Sequence, residues 1–299
     1  MSLDVGFLTL VVYFFLFQLG LVTSSTDGRV NFWSLANLRE PAESTQVSDS
    51  VSCFTVLPES EGLLLGDDNG GLFSVQSSSS STGQRSRKQV RKLASTDESG
   101  ENFGHYGMVT SLSAKTKTMA ASTSSRSGGL TKTGFLRGSG GLILSSGVDW
   151  TVKLWAPAYS EMPLVSMVSH SYDYMSDVQW SPSHPSLFAT ASSNGSVGLW
   201  NLATSFDEPI TGGGGTDGGA STGGGLLIEP DAMSSGRGLN KLAWSTDGRR
   251  LAIASADRMH VLTLTDDVTR PKGDEDTKVM NHLMTRGLIS SGGGGSTKQ

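Results

Sequence analysis

Residues 142–202 read LILSSGVDWTVKLWAPAYSEMPLVSMVSHSYDYMSDVQWSPSHPSLFATASSNGSVGLWNL, and the stretch says one thing twice. The first copy is SSGVDWTVKLW: a strand of small residues, a turn on Asp149, a β-branched strand, then Trp155. The second is ASSNGSVGLW, with Asn194 and Trp200 in the same places. Asp and Asn suit such a turn because their side chains bond the backbone two residues on. Between the copies, DVQWSPSHPSLFATAS reads as a strand, a Ser-Pro turn and another strand. Two copies in register, about 45 residues apart, match a repeat in which each unit is one four-stranded antiparallel sheet, a propeller blade.

Working outward, the turn residue recurs at Asp27 (TDGRVNFW), Asn69 (DNGGLFSV) and Asp257 (ADRMHVLTL). Trp33 matches Trp155 and Trp200, while Val75 and Thr263 take that place in the other two copies. Inner strands are expected at 51–56, 109–113, 175–180 and 239–244. The spacing between turn residues exceeds a blade of roughly 40–45 residues in two places. The excess lies in Ser-, Thr- and Gly-rich tracts at 76–89, 115–141 and 203–225, which read as loops. In a four-stranded meander, alternate connections emerge on opposite faces. The insertions are therefore expected on one face and the turn residues on the other.

The wording SSGVDWTVKLW, YDYMSDVQWSPSHPSLFA and NGSVGLWNL resembles the WD-repeat dynein intermediate chains, the cytoplasmic type more than the axonemal. The resemblance is strongest over 142–202. It continues in register through TDGRVNFWSLANLREP, FGHYGMVTSL and NKLAWSTDGRRLAIASADRMHVLTL. It implies an all-β WD-repeat β-propeller, with about five recognisable blades of a ring that normally has seven. It also implies a non-catalytic scaffold subunit of a cytoplasmic dynein complex, supporting microtubule-based transport in the cytoplasm on the cytoskeleton. The implied partner is the dynein heavy chain, with other dynein subunits beside it. The charged arm that binds light chains and dynactin in that family is not recognised here, so those partners are not expected. The rival readings are a general WD-repeat adaptor and an axonemal-type intermediate chain.

The resemblance also implies a hydrogen-bonded structural tetrad of His105, Ser145 (or Ser146), Asp149 and Trp155. His, Ser and Asp could equally be read as a hydrolase triad, but no GxSxG elbow is present. His170 lies one place off the matching position, and His184, in a Ser-Pro-Ser-His-Pro turn, is expected to be exposed. Asp149, Trp150, Tyr172, Asp173 and Tyr174 fall on the turn face and are the candidate partner-binding residues. Tyr and Trp are the usual anchors of interfaces; local packing between neighbouring turns is the alternative.

Composition narrows the rest. The chain has 299 residues and net charge -5, which gives no hint of nucleic-acid binding. Hydrophobic content is 36%, diluted by 38 glycines. The single cysteine, Cys53, excludes an intrachain disulfide and a cysteine-based zinc site. The glycine tracts lack a following Lys-Ser/Thr and so are not phosphate loops. No cofactor or metal is expected. The basic run Arg85, Arg87, Lys88, Arg91 and Lys92 reads as a solvated loop or an acidic-partner site. Asp266, Asp267, Asp274, Glu275 and Asp276 lack metal-loop spacing and read as a solvated acidic patch.

Residues 5–22 (VGFLTLVVYFFLFQLGLV) carry no charge and are long enough to cross a bilayer. Three readings stay open: propeller strands, an aberrant start, or a membrane or signal segment that would anchor the chain. The flanks argue against the last, because Asp4 and no Lys or Arg precedes the run. The expected division is a hydrophobic segment at 1–20, the propeller at 21–268, and a polar tail at 269–299 with a short helix near 274–286.

Overall fold

The computed structural model describes residues 9–14, 19–57, 62–78, 87–94, 104–115, 141–157, 160, 162–168, 172–210, 238–272 and 275–288. These form five antiparallel sheets and two helices. The first sheet is β1 (Thr9–Phe14), β2 (Leu19–Ser24), β3 (Arg29–Ser34) and β4 (Glu43–Gln46) in that order. The second is β5 (Cys53–Leu57), β6 (Gly62–Gly66), β7 (Leu72–Ser78) and β8 (Arg87–Ala94). The third is β9 (Val109–Ala114), β10 (Ile143–Gly147), β11 (Thr151–Trp155) and β12 (Val165–Val168). The fourth is β13 (Met175–Trp180), β14 (Leu187–Ser192) and β15 (Val197–Asn201), and the fifth is β16 (Leu239–Trp244), β17 (Arg250–Ser255) and β18 (Met259–Thr263). Each strand pairs with the next in sequence, as a meander requires. The molecule is a WD-repeat β-propeller.

Alternation along the strands decides which neighbour each side chain meets. In the third sheet Ile143 pairs across with Trp155, and both pack towards Leu64 and Leu72 of the second sheet. Their alternates Leu144, Val152 and Leu154 pack the other way, onto Val178, Phe188 and Trp200 of the fourth. In β14, Phe188 joins that cluster while Ala189 and Ala191 turn to Leu242, Leu251 and Ile253 of the fifth sheet. A register slip of one residue would exchange the two sets. Leu144, Leu154 and Phe188 are fully buried, each worth roughly 1.5–3 kcal/mol against exposure.

The inner strands are also tied to one another through side chains. Ser52, just before β5, donates its hydroxyl to the Val109 carbonyl at 2.7 Å. The Thr110 hydroxyl donates to the Met175 carbonyl at 2.5 Å, and the Trp180 N–H donates to Ser113 Oγ at 3.0 Å. The buried Asp177 carboxylate accepts the Leu242 N–H at 2.7 Å, and Trp244 Nε1 donates to the Gln179 carbonyl at 3.1 Å.

Some of the open readings are resolved and others are revised. The apolar run at the N-terminus supplies paired strands, with Thr9 opposite Ser24 and Phe14 opposite Leu19, so the boundary at residue 20 cuts through β2. Among the described residues no helix is long and apolar enough to cross a membrane. The basic run is not a loop from Arg87 onward: Arg87–Ala94 pairs with β7 as the outer strand of the second sheet. A short helix α1 (Asp266–Thr269) closes the propeller span, and the helix expected near 274–286 is present as α2 (Glu275–Thr285), but it is not simply polar, since it buries Val279 and Leu283 in the core cluster of the third and fourth sheets. His184 Nε2 and Glu275 Oε2 are buried 3.0 Å apart, and so the two residues are neither an exposed turn nor part of a solvated patch. Ser186 also donates to Glu275 Oε2, at 3.1 Å, so α2 is held to the fourth sheet by a polar contact as well as an apolar one. Asp266 and Asp267 are exposed, while Asp274 lies outside the described residues, as does the side chain of Asp276. Of the insertions at 76–89, 115–141 and 203–225, residues 79–86, 116–140 and 211–225 also lie outside them, and with them the expectation about their face.

Candidate functional site

The chain reaches the third sheet through a linker pinned at several points. Gly70, in the β6–β7 turn, takes φ +87, and a Cβ there would lie 1.8 Å from the His105 carbonyl oxygen. Only glycine lets the linker approach so closely. The His105 N–H donates to the Gly70 carbonyl at 2.9 Å, and the buried Lys153 ammonium donates to the Gly104 carbonyl at 2.6 Å.

These contacts deliver the His105 ring into a closed chain of hydrogen bonds. Trp155 Nε1 donates to Ser145 Oγ at 2.8 Å. Ser145 Oγ and His105 Nε2 are 2.6 Å apart, and His105 Nδ1 and Asp149 Oδ1 are 2.9 Å apart. Asp149 also accepts the Thr151 hydroxyl at 2.8 Å and the Tyr106 N–H at 3.0 Å. The donor order is consistent with a neutral imidazole: indole to serine, serine to Nε2, Nδ1–H to carboxylate. Burial pushes the His105 pKa down, which favours that form. Burial would raise the Asp149 carboxyl, but the hydrogen bonds from His105, Tyr106 and Thr151 hold it well below the usual carboxylate range. Gly147 completes the arrangement, since a Cβ there would lie 2.5 Å from His105 Nδ1.

Ser145, His105 and Asp149 have the connectivity of a hydrolase triad. Yet Ser145 and His105 are both 0% exposed, and the serine oxygen already takes the indole N–H. No substrate reaches it. The arrangement braces the turn that presents Trp150.

The same brace recurs in reduced form. Trp33 Nε1 donates to Thr23 Oγ1 at 2.9 Å, and Trp200 Nε1 to Thr190 Oγ1 at 3.1 Å. Asp27 and Asn194 each accept the N–H two residues on. In the second sheet the residue that does this is Asp67, not Asn69: it accepts the Asn69 and Gly71 N–H groups at 3.0 and 2.6 Å.

At the residue after the turn Asp or Asn, three sheets carry a left-handed glycine: Gly28, Gly70 and Gly195, with φ of 80, 87 and 92°. In the third sheet that position is Trp150, with φ 66°. The only other non-glycine with positive φ among the described residues is Tyr172, at 55°. The two rings touch edge to face, 5.8 Å between centroids at 85°. A left-handed non-glycine costs roughly 1–2 kcal/mol. Such strain clusters at functional positions.

Around the pair lies an exposed aromatic patch. Trp150 is 46% exposed, Tyr172 67% and Tyr174 49%. Tyr106, 71% exposed, hangs from Asp149 by its N–H, and Met108, 40% exposed, accepts the Val148 N–H. Sequence reasoning missed Tyr106 and Met108. Their closeness to Asp149 and Val148 was the available signal once His105 was placed. Asp173 is half-buried, and Asp149 is turned inward, so it supports the patch without facing a partner. His170 lies outside the described residues. Burial pushes the Cys53 thiol up to about 12, leaving it unreactive. Among the described residues no cluster of His, Cys, Asp or Glu is placed to hold a metal.

The blade geometry and its Trp–Ser/Thr braces define a WD-repeat protein, and the family model for the WD domain, G-beta repeat, matches residues 162–201. Among curated proteins the chain is similar to the cytoplasmic dynein 1 intermediate chain of Drosophila melanogaster, 25% identical over 270 residues. That match covers 88% of this chain and 33% of the relative, so the chain spans about a third of the length of the protein it matches. The chain thus carries a WD repeat and is similar to a dynein intermediate chain.

Proposed function

We propose that this chain is a non-catalytic scaffold subunit of a cytoplasmic dynein complex, and that its propeller holds the dynein heavy chain. The observation that supports this reading is the Trp150–Tyr172 pair. Two large rings stand exposed on left-handed backbone, and Trp150 does so at a turn where three sister sheets use glycine. Folding alone favours glycine there. The Asp149 brace fixes the turn from below, so Trp150, Tyr172, Tyr174, Tyr106 and Met108 form a pre-ordered patch of the kind that anchors an interface. The similarity to an intermediate chain named for cytoplasmic dynein supplies the partner.

Trp150→Gly tests this cleanly, because it gives the turn the residue its three counterparts already carry. The chain, tagged at its C-terminus, is used to capture partners from a cytosolic extract, read by mass spectrometry. Recovery of a dynein heavy chain, reduced in Trp150→Gly, is the expected result. Equal recovery in the variant rejects the patch and keeps the subunit role. A folded parent chain that recovers no heavy chain rejects both.

A further inference from the structure

The fifth sheet has two apolar faces, and the fold uses one of them. Leu242, Leu251 and Ile253 turn towards the fourth sheet and are buried there. Their alternates are Ala243, Ala252, Ala254, Met259 and Val261. Cross-strand pairing sets these in rows: Ala243, Ala252 and Val261 stand opposite one another, and so do Lys241, Ala254 and Met259. None of the five apolar residues belongs to a core cluster. Met259 is 70% exposed and Val261 55%, and Ala243 is exposed with them. An antiparallel sheet with a solvated face ordinarily carries polar residues there.

The fourth sheet shows what such a face is for. Ala189 stands opposite Leu199 and Ala191 opposite Val197, in the register that Ala252 and Ala254 keep with Val261 and Met259. In the fourth sheet those alanines form a trough that receives Leu242, Leu251 and Ile253, and Ala189, Ala191 and Leu199 are fully buried. The fifth sheet repeats the trough and keeps a ridge, Met259 and Val261, beside it. No described sheet covers either.

We infer that this open face of the fifth sheet pairs with the same face of a second copy of the chain. The face is self-complementary. With the copies related by a two-fold axis along the strands, each lays its Met259–Val261 ridge on β16 of the other, over Ala243, and the two β17 alanine rows meet. Methionine, unbranched and flexible, fills the irregular space that small residues leave. The charged residues of the face, Lys241 and Arg250, stand in the end rows, so the central row of Ala243, Ala252 and Val261 buries no charge. Three strands of five or six residues make a face smaller than a standard interface, which takes roughly 800 Å² from each partner. The dimer is therefore expected to be reversible, with Kd on the order of 10 µM. The contact is independent of the aromatic patch, which lies at the third-sheet turn and the link that follows it.

The test is sedimentation velocity of the whole chain between about 1 and about 200 µM, which is expected to show a monomer–dimer equilibrium that stops at two. Val261→Lys puts a charge in the central row and is expected to weaken dimerisation about tenfold or more. Val261 is exposed in the single chain, and an unchanged melting temperature in dilute solution would show that the variant folds. Trp150→Gly is expected to dimerise as the parent does. A parent chain that stays monomeric throughout overturns the inference. Equal dimerisation of Val261→Lys overturns it by placing the contact elsewhere, and loss of the dimer in Trp150→Gly overturns it by moving the contact to the aromatic patch. Assemblies that grow beyond two also overturn it, because they require a head-to-tail contact between unlike faces.

Discussion

Asp177 and Leu242 belong to different sheets, yet the Asp177 carboxylate takes the Leu242 backbone N–H at 2.7 Å, fully out of solvent. Its other oxygen receives the N–H of Val178 at 3.0 Å, and Lys241 stands 3.6 Å away. Both inner strands shift register beside this contact, at Met175/Asp177 and at Leu239/Lys241. The carboxylate thus fills the gap that two bulges leave between neighbouring sheets.

Asp177→Ala strands the Leu242 N–H in that gap, and an unsatisfied buried donor costs roughly 1–3 kcal/mol. Asp177→Asn keeps a carbonyl oxygen for it and is expected to lose less. Urea unfolding of the two variants checks this. Equal losses would mean that charge, not the bond to Leu242, is what matters at this position.

The His105 ring gives stability a pH dependence with a definite sign. Its folded pKa lies below the ordinary value of about 6.5, because burial penalises the charged ring. The groups facing it are Asp149, Ser145 and Thr151, with Lys153 close behind. As pH falls through about 6.5 the unfolded chain takes up a proton that the folded chain refuses. Stability is therefore full above that pH and declines below it, by at most about 1.4 kcal/mol per pH unit for this one group. Urea midpoints measured between pH 8 and about pH 5.5 are expected to fall more steeply for the parent than for His105→Gln. Parallel slopes would remove His105 as the source.

Helix α2 is held by a buried contact as well as by its apolar face. Glu275 joins His184 at 3.0 Å and Ser186 at 3.1 Å. Burial would raise the Glu275 carboxyl, but the bonds from His184 and Ser186 hold it below its ordinary value. Arg286 forms a second, exposed bridge to Asp207, with Nη1 and Oδ1 3.1 Å apart. Glu275→Ala is expected to cost about 2 kcal/mol, since it leaves His184 Nε2 short of a buried partner, while Ser186 keeps Asn201 Oδ1 at 2.7 Å. Hydrogen exchange should then speed up across Glu275–Thr285 while Ile143–Gly147 stays protected. Unchanged exchange in α2 would show that Val279 and Leu283 suffice to hold it.

The sheets and the brace were legible in the sequence because both depend on spacing within one repeat. Ser145, Asp149 and Trp155 lie on two adjacent strands and their turn, so strand alternation alone brings them together. Contacts between distant segments were not legible. His184 sits in a Ser-Pro-rich turn that looks solvated, and Glu275 among acids that look solvated. Only the return of α2 onto the fourth sheet joins them. The basic run looked like loop because outer strands have one open edge and tolerate charge that an inner strand cannot. The apolar run before residue 23 was ambiguous by composition. Pairing of Thr9–Phe14 with Leu19–Ser24 resolves it, and composition does not encode pairing. The left-handed backbone at Trp150 was hidden because nothing in DWT announces it. It emerges only when the turn is superposed on its glycine-bearing counterparts.

The bonds between neighbouring sheets gather at the inner strands, at Ser52–Val109, Thr110–Met175, Ser113–Trp180 and Asp177–Leu242. Outer strands such as β8 and β12 are paired with β7 and β11 of their own sheets. Tension applied at the rim can therefore unzip one strand, a bond at a time, and leave the rest intact. Tension applied at the hub must shear several bonds together, which takes more force. A molecule wired in this way bears a mechanical load best through its centre, and it gives way first at its perimeter.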